Sequence, residues 1–163
     1  MNDIRLAVTL YRMSIELEHL LDATVTLDEV VDVGQTLQGH RRIINITGGH
    51  FEGDRMRGTI HASGADWQVI REDGSAYLDT RYTLETDDGA LIYVQNTGFR
   101  HGPPEVLKNL ALGQDVAPSE YYFRTIPVLE TSAKNYDWIN RTVFVGTGAR
   151  RPSAVELSFY EVM

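Results

Sequence analysis

Apolar and polar residues alternate along much of this chain, and that period of two limits its fold more than any other feature. Near the amino terminus Tyr11, Met13, Ile15 and Leu17 are apolar, while Arg12, Ser14, Glu16 and Glu18 between them are polar. Successive side chains of a strand point to opposite faces, so the pattern predicts a half-buried strand and not a helix. Further strands are predicted over 40–47, 55–62, 65–71, 75–86, 90–97, 120–128, 137–145 and 154–162. Turn signals separate them: Asp32-Val33-Gly34, Gly48-Gly49, Asp73-Gly74, Asp87-Asp88-Gly89 and Gly146-Thr147-Gly148. Short strands at such spacing make an all-β sandwich or barrel.

One segment breaks the pattern. Residues 103–113, PPEVLKNLALG, begin with proline and end with glycine, which suits a short helix. It sits in a long excursion over 98–119, of the kind that serves as a lid or binding loop. There is no repeat, low-complexity tract or linker, and 163 residues suffice for one core. The chain reads as a single domain over 1–163.

A formal charge of −8 argues against unspecific attraction to nucleic acid, which needs a cationic footprint. The absence of cysteine removes disulfides, thiolate zinc sites and cysteine nucleophiles. The first twenty residues carry no cleavable-signal pattern, and no segment is apolar enough to span a bilayer. The expectation is a soluble cytoplasmic protein with no membrane partner.

The glycine-rich run GGHFEGDRMRG, residues 48–58, invites comparison with a phosphate cradle. No helix follows Gly48-Gly49, so the geometry of a glycine loop feeding a helix N-terminus is missing. A strand turn is expected there, with glycine supplying positive φ and close chain approach.

If Asp73-Gly74 and Asp88-Gly89 each form a two-residue hairpin turn, counting back places Asp66 opposite Arg81 and Arg81 opposite Asn96. Opposed residues share a face, so a carboxylate, a guanidinium and an amide would form one row across three strands. Trp67, Val69, Leu78, Tyr82, Leu84, Leu91 and Tyr93 would occupy the other, more apolar face. A bulge at either turn would shift this arrangement by one residue and destroy it. The row is either a solvated salt bridge or the polar lining of a pocket.

Four longer runs carry a family likeness: GHRRIINITGGHFEGDRMRGTI, SGADWQVIREDGSAYLDTRYTLETDDGALIYVQNTG, YYFRTIPVLETSAKNYDWINRTVFVGTG and VELSFYEV. With them the chain resembles the family of domains of unknown function numbered 3237, DUF3237, also called UPF0311. The resemblance covers nearly everything from residue 34 onwards. It implies an all-β fold, an antiparallel β-barrel of about nine to ten strands with one short helix in a long loop. It also implies a homo-oligomer, and it implies little about activity.

Several residues carry chemistry. Asp66 could be a general base if burial raises its pKa, whereas a neighbouring Arg81 would lower it. Arg81 and Arg124 could hold a carboxylate or enolate through planar contacts, and Tyr93 could donate to a carbonyl oxygen. Trp67, Tyr82, Asn96, Trp138 and Asn140 could form the wall around a flat ligand. The histidines, His19, His40, His50, His61 and His101, show no metal-ligand spacing, and no serine-nucleophile motif occurs. The sequence leaves three readings open. One is a cofactor-independent isomerase, cyclase or lyase acting next to a carbonyl of a hydrophobic or aromatic substrate. The others are a non-catalytic ligand-binding barrel and a structural homo-oligomer.

Overall fold

The computed structural model describes residues 14–163. Nine strands form one antiparallel sheet: β1 (Leu17–Thr36), β2 (Gly39–Glu52), β3 (Arg57–Ile60), β4 (Ala65–Ile70), β5 (Ala76–Thr86), β6 (Leu91–His101), β7 (Tyr122–Glu130), β8 (Phe144–Arg150) and β9 (Ala154–Val162). Neighbours run β1-β9-β8-β7-β6-β5, then through the short strands β3 and β4 to β2, which pairs with β1 again. The sheet closes into a ring. β3 and β4 share one place in it, each bridging β2 and β5. A ring of that size is just wide enough for side chains to fill.

Alternation decides what fills it. Along β6, Ile92, Val94 and Asn96 are buried while Leu91 and Tyr93 are exposed, and β7 alternates through its whole length. One end is plugged by Leu21, Phe51, Leu84, Ile92, Phe144 and Phe159. A 3-10 helix (Lys134–Arg141) closes this end, with Ile139 buried beneath it. The opposite end is covered by α1 (Pro104–Ala111), which begins with Pro at its first turn and buries Leu110. No helix among the described residues is long and apolar enough to cross a membrane.

Several expectations change. Tyr11 and Met13 of the first predicted strand lie outside the described residues, and β1 begins only at Leu17. Its buried residues are Leu20, Leu21, Ala23 and Val25, while Ile15 and Leu17 are exposed. Asp32-Val33-Gly34 is no turn but part of β1, whose hairpin with β2 closes further on, where Thr36 pairs with Gly39. Gly48-Gly49 lies inside β2, beside a register shift against β1. Gly49 has φ +141°, and a Cβ there would sit 2.0 Å from the Thr24 carbonyl oxygen. Close approach of two strands, not chain reversal, requires that glycine. Gly146-Thr147-Gly148 lies within β8, where a Cβ on Gly148 would strike the Phe123 ring at 2.7 Å. The predicted strand 137–145 is the 3-10 helix followed by the first residues of β8.

Candidate functional site

The register of two hairpins sets the site. At the first, Arg71 N–H donates to the Ser75 carbonyl and Gly74 N–H to the Arg71 carbonyl, enclosing three residues, with Gly74 at φ +82°. The second repeats this with Thr86, Gly89 and Ala90, and Gly89 has φ +85°. A three-residue loop ending in left-handed glycine adds one residue to a two-residue turn. β5 therefore slips by one against both neighbours. Asp66 lies opposite Thr80, and Thr80 opposite Asn96. Arg81 pairs instead with Ala65 and Gln95 and points outward, 48% exposed, toward Asp79 at 3.2 Å. The Asp66–Arg81–Asn96 row does not form. Its two ends, Asp66 and Asn96, do face the interior, and the same slip brings Leu78, Tyr82 and Leu84 inside with them.

At the end covered by α1 the interior broadens into a pocket of about 660 Å³, with Ile70, Leu107 and Leu110 in its wall. Below it a cavity of about 40 Å³ reaches Asp66, Gln68, Tyr82, Asn96 and Thr125 between apolar walls that include Ile44, Leu78 and Leu157. Arg100 and Arg150 line both spaces and form a collar between them; Arg42 joins them on the mouth side. The collar is built from β2, β6 and β8, strands far apart in sequence. Arg150 is oriented by Nη1, which donates to the Ala154 carbonyl at 2.9 Å, and its backbone N–H donates to the Tyr121 hydroxyl at 2.8 Å.

The electrostatics oppose one another. Burial raises the Asp66 carboxyl above its ordinary range; hydrogen bonds from Gln68, Thr80 and the Asp79 N–H and the charge of Arg100 pull it down without cancelling that effect. Gln68 Nε2 donates to Asp66 Oδ2 at 2.6 Å, and Asp79 N–H to Oδ1 at 3.2 Å. Burial, then the charges of Arg150 and Arg42, lowers Arg100 to about 10, with Asp66 and Tyr121 opposing. Arg150 is lowered by burial and by Arg42. Burial pushes the Tyr82 phenol up, so it stays a neutral donor. Gln68 Oε1, Tyr82 OH, Asn96 Oδ1, Arg100 Nε and Thr125 Oγ1 are buried with no partner among the described residues. Buried polar atoms are nearly always satisfied, so five unpartnered ones around one cavity set it apart from an ordinary apolar core.

The remaining sequence candidates lie elsewhere. Arg124 is on the outer face of β7, its guanidinium 5.3 Å from the Tyr122 ring centre. Tyr93 is exposed on the outer face of β6. Trp67 faces outward on β4, where its carbonyl accepts from Arg41 Nη1 at 2.7 Å. Trp138 packs at the plugged end, with Arg55 4.1 Å over its ring. Asn140 clasps the backbone of Thr131 at 2.8 and 2.9 Å and ties the 3-10 helix to β7. His101 stacks on Tyr122 at 4.7 Å. Among the described residues no three His, Cys, Asp or Glu side chains cluster as metal ligands would. Sequence reasoning missed the roles of Arg42, Arg100 and Arg150. For Arg100 a signal existed, because the inward parity of Ile92, Val94 and Asn96 continues through Gly98 to Arg100.

Fold and site together define a closed antiparallel β-ring with a polar, arginine-collared pocket at one end. Residues 15–162 match the family described as protein of unknown function (DUF3237), and the chain belongs to that family. A UPF0311 protein of Rhodopseudomonas palustris is 39% identical over 150 residues, 92% of this chain and 98% of its own length. A solved structure from Acinetobacter baumannii AYE, described as a beta-barrel like protein, superposes with a TM-score of 0.83 at 48% identity, covering 94% of this chain and 99% of that one. A structure described as an enzyme from Penicillium herquei has a TM-score of 0.70 at 21% identity, covering 93% and 97%, and shares the fold alone.

Proposed function

We propose that the interior pocket binds a small hydrophobic or aromatic molecule and that Asp66 moves a proton at the carbon next to its carbonyl. The observation that carries this is a buried Asp66 carboxyl set among uncommitted polar atoms in an otherwise apolar cavity. A carboxyl raised by burial takes up and releases a proton closer to neutral pH than a solvated one. The C–H proton passes to an Asp66 oxygen and the bond's electron pair moves onto the carbonyl oxygen, giving an enolate. The same carboxyl then returns the proton at another carbon, or a leaving group departs. Arg100 and Tyr82 supply the positive charge and the hydrogen bond that favour the enolate, in place of Arg81 and Tyr93. The reaction is a cofactor-independent isomerisation or elimination, or a cyclisation in which the enolate carbon bonds to a second carbonyl carbon of the same molecule, whose C=O electron pair moves to oxygen and takes the proton back from Asp66. The enzyme of this fold from Penicillium herquei gives a precedent for catalysis on the scaffold and assigns no reaction here.

Deuterium incorporation tests it. Cyclic and aromatic ketones, including any molecule found by mass spectrometry to co-purify, are incubated with the protein in D2O and followed by NMR. Exchange next to the carbonyl should be catalysed by the wild type and drop at least a hundredfold in Asp66→Asn, with ligand affinity retained. Equal exchange in both proteins removes Asp66 from the chemistry. Retained binding with no exchange in the wild type leaves a non-catalytic binding protein.

A second reading concerns assembly. The outer face of β6 and β7 exposes Tyr93, Phe99, Tyr122, Ile126 and Val128. In the register of these strands they alternate with Gln95, Thr97, Arg124 and Glu130, a mixed apolar and polar face of the kind that suits a second copy of the chain. Analytical ultracentrifugation of Ile126→Glu against wild type tests it; a monomer in both would reject it.

A further inference from the structure

We infer that the collar of Arg42, Arg100 and Arg150 makes the pocket a site for an organic oxyanion, whose charged group sits at the collar and whose apolar body lies under α1. This rests on the reading of the interior as a ligand pocket, and it adds the class of ligand. The shared chemistry is a delocalised anion on oxygen, supplied either by a carboxylate or by the enolate of an acidic 1,3-dicarbonyl compound.

Four of this chain's arginines, Arg55, Arg81, Arg141 and Arg151, pair with carboxylates, Glu161, Asp79, Asp137 and Asp115 with Glu156 respectively. Arg57, Arg71 and Arg124 have no such partner among the described residues but are exposed, and Arg41 donates to the Trp67 carbonyl. No such pair forms for Arg42, Arg100 or Arg150 among the described residues, although these are the ones drawn together and partly out of water. In a chain of formal charge −8, three clustered cations are not a product of overall basicity. Their mutual repulsion is visible in the lowering of Arg100 by both neighbours. Holding like charges in a poorly solvated place is unfavourable unless an anion joins them.

The local carboxylates do not meet that need. Among the described residues Asp66 is the one acidic group lining the inner cavity, and its oxygens are already occupied by Gln68 and the Asp79 N–H. Asp28, Glu29 and Asp73 stand at the rim, where Lys108 faces the same pocket. Asp73 Oδ1 is taken by the N–H and hydroxyl of Ser75, and Asp28 Oδ1 by the Glu29 N–H. Arg100 Nε is buried and unpartnered, and Arg100 lines both spaces. A planar guanidinium matches a planar oxyanion through paired hydrogen bonds, which gives orientation as well as affinity. The volumes give the ligand its shape. About 40 Å³ below the collar admits little more than a small polar group, and about 660 Å³ above it admits a ring system.

The test is a calorimetric titration of the whole chain with matched pairs of probes. Naphthalene-2-carboxylate is compared with neutral naphthalene-2-carboxamide, and 2-acetylcyclohexane-1,3-dione with its neutral enol methyl ether. The anion of at least one pair should bind about ten- to a hundredfold more tightly than its partner, the range of a hydrogen-bonded charge. A preference within the first pair identifies a carboxylate, and one within the second alone identifies an enolate. Arg150→Met should abolish the preference, and Arg81→Met, which alters an outward cation, should keep it. Equal affinity of anion and neutral partner in both pairs, or no binding by any of them, overturns the oxyanion site. Equal affinity with binding still blocked by Leu78→Trp leaves the pocket itself intact. The wild-type comparison stands even if an arginine variant fails to fold.

Discussion

Replacing Asp66 by asparagine tests which force wins at the centre of the pocket. Burial raises the folded carboxyl, while three hydrogen bonds and Arg100 oppose it. The unfolded chain carries an aspartate with an ordinary pKa of about 3.9. Below that value the carboxyl is protonated in both states and imposes no penalty. As pH rises, the unfolded state ionises first, and wild-type stability falls by up to about 1.4 kcal/mol per pH unit until the folded carboxyl also ionises. The substituted amide has no proton to lose, so the variant gains on the wild type across that window and then keeps its advantage.

The geometry makes the substitution mild. The asparagine oxygen can accept the Asp79 N–H, and a rotated Gln68 amide can present its unpartnered Oε1 to the new NH2. Asp66→Ala offers neither and strands the Gln68 amide and the Asp79 N–H, two of those three donors, which costs about 1–3 kcal/mol for each. It should therefore be about 2–6 kcal/mol less stable than Asp66→Asn at the same pH. Urea unfolding from pH 4 to 8, read as midpoints at constant m-value, measures all of this. A flat difference between wild type and Asp66→Asn, or one moving in favour of the wild type as pH rises, refutes the reasoning. It would mean that the guanidiniums outweigh burial and that Asp66 is a permanent counter-ion unsuited to carry protons.

Further substitutions probe the fold. Gly148→Val drives a side chain into the Phe123 ring and should cost about 1–3 kcal/mol of stability by thermal unfolding, as overpacking does. Gly49→Ala meets the Thr24 carbonyl at 2.0 Å and should leave little folded soluble protein; a normal circular dichroism spectrum and melting point would contradict the tight β1–β2 approach. Phe159→Ala empties a fully buried ring site and should cost about 3–5 kcal/mol in urea titration. Arg81→Ala removes one end of an exposed pair and should change stability by about 1 kcal/mol or less. A larger loss would mean that Arg81 reaches something more than Asp79.

Much of the architecture can be read from the residue pattern, because strand periodicity and turn chemistry are local. The last strand is predicted over 154–162 and observed as Ala154–Val162, and the helix predicted within 103–113 is observed as Pro104–Ala111. Alternation within their own strands sets which residues share a face with Asp66 and Asn96. It left open whether that face is the inner one, since Trp67 and Val69 make the opposite face of β4 the more apolar; closure of the sheet turned Asp66 and Asn96 inward. Glycine misled the reading wherever it served close packing: Gly49 and Gly148 look like turn residues because the contact that requires them is with a distant strand. The 3-10 helix was hidden for a related reason, since Trp138 and Ile139 are held by packing on the plugged end and not by any helical signal of their own.

Local pattern thus determined that the chain would make alternating antiparallel strands, and which of them would carry a carboxyl and an amide on one face. The tertiary structure decided which cation they meet. Whether β5 turns Arg81 or Tyr82 inward depends on one residue in each flanking loop, and Asp-Gly fits both a two-residue turn and a three-residue loop. Arg42, Arg100 and Arg150 belong to separate strands and become neighbours only when the sheet closes on itself, a long-range event that no short stretch of sequence encodes.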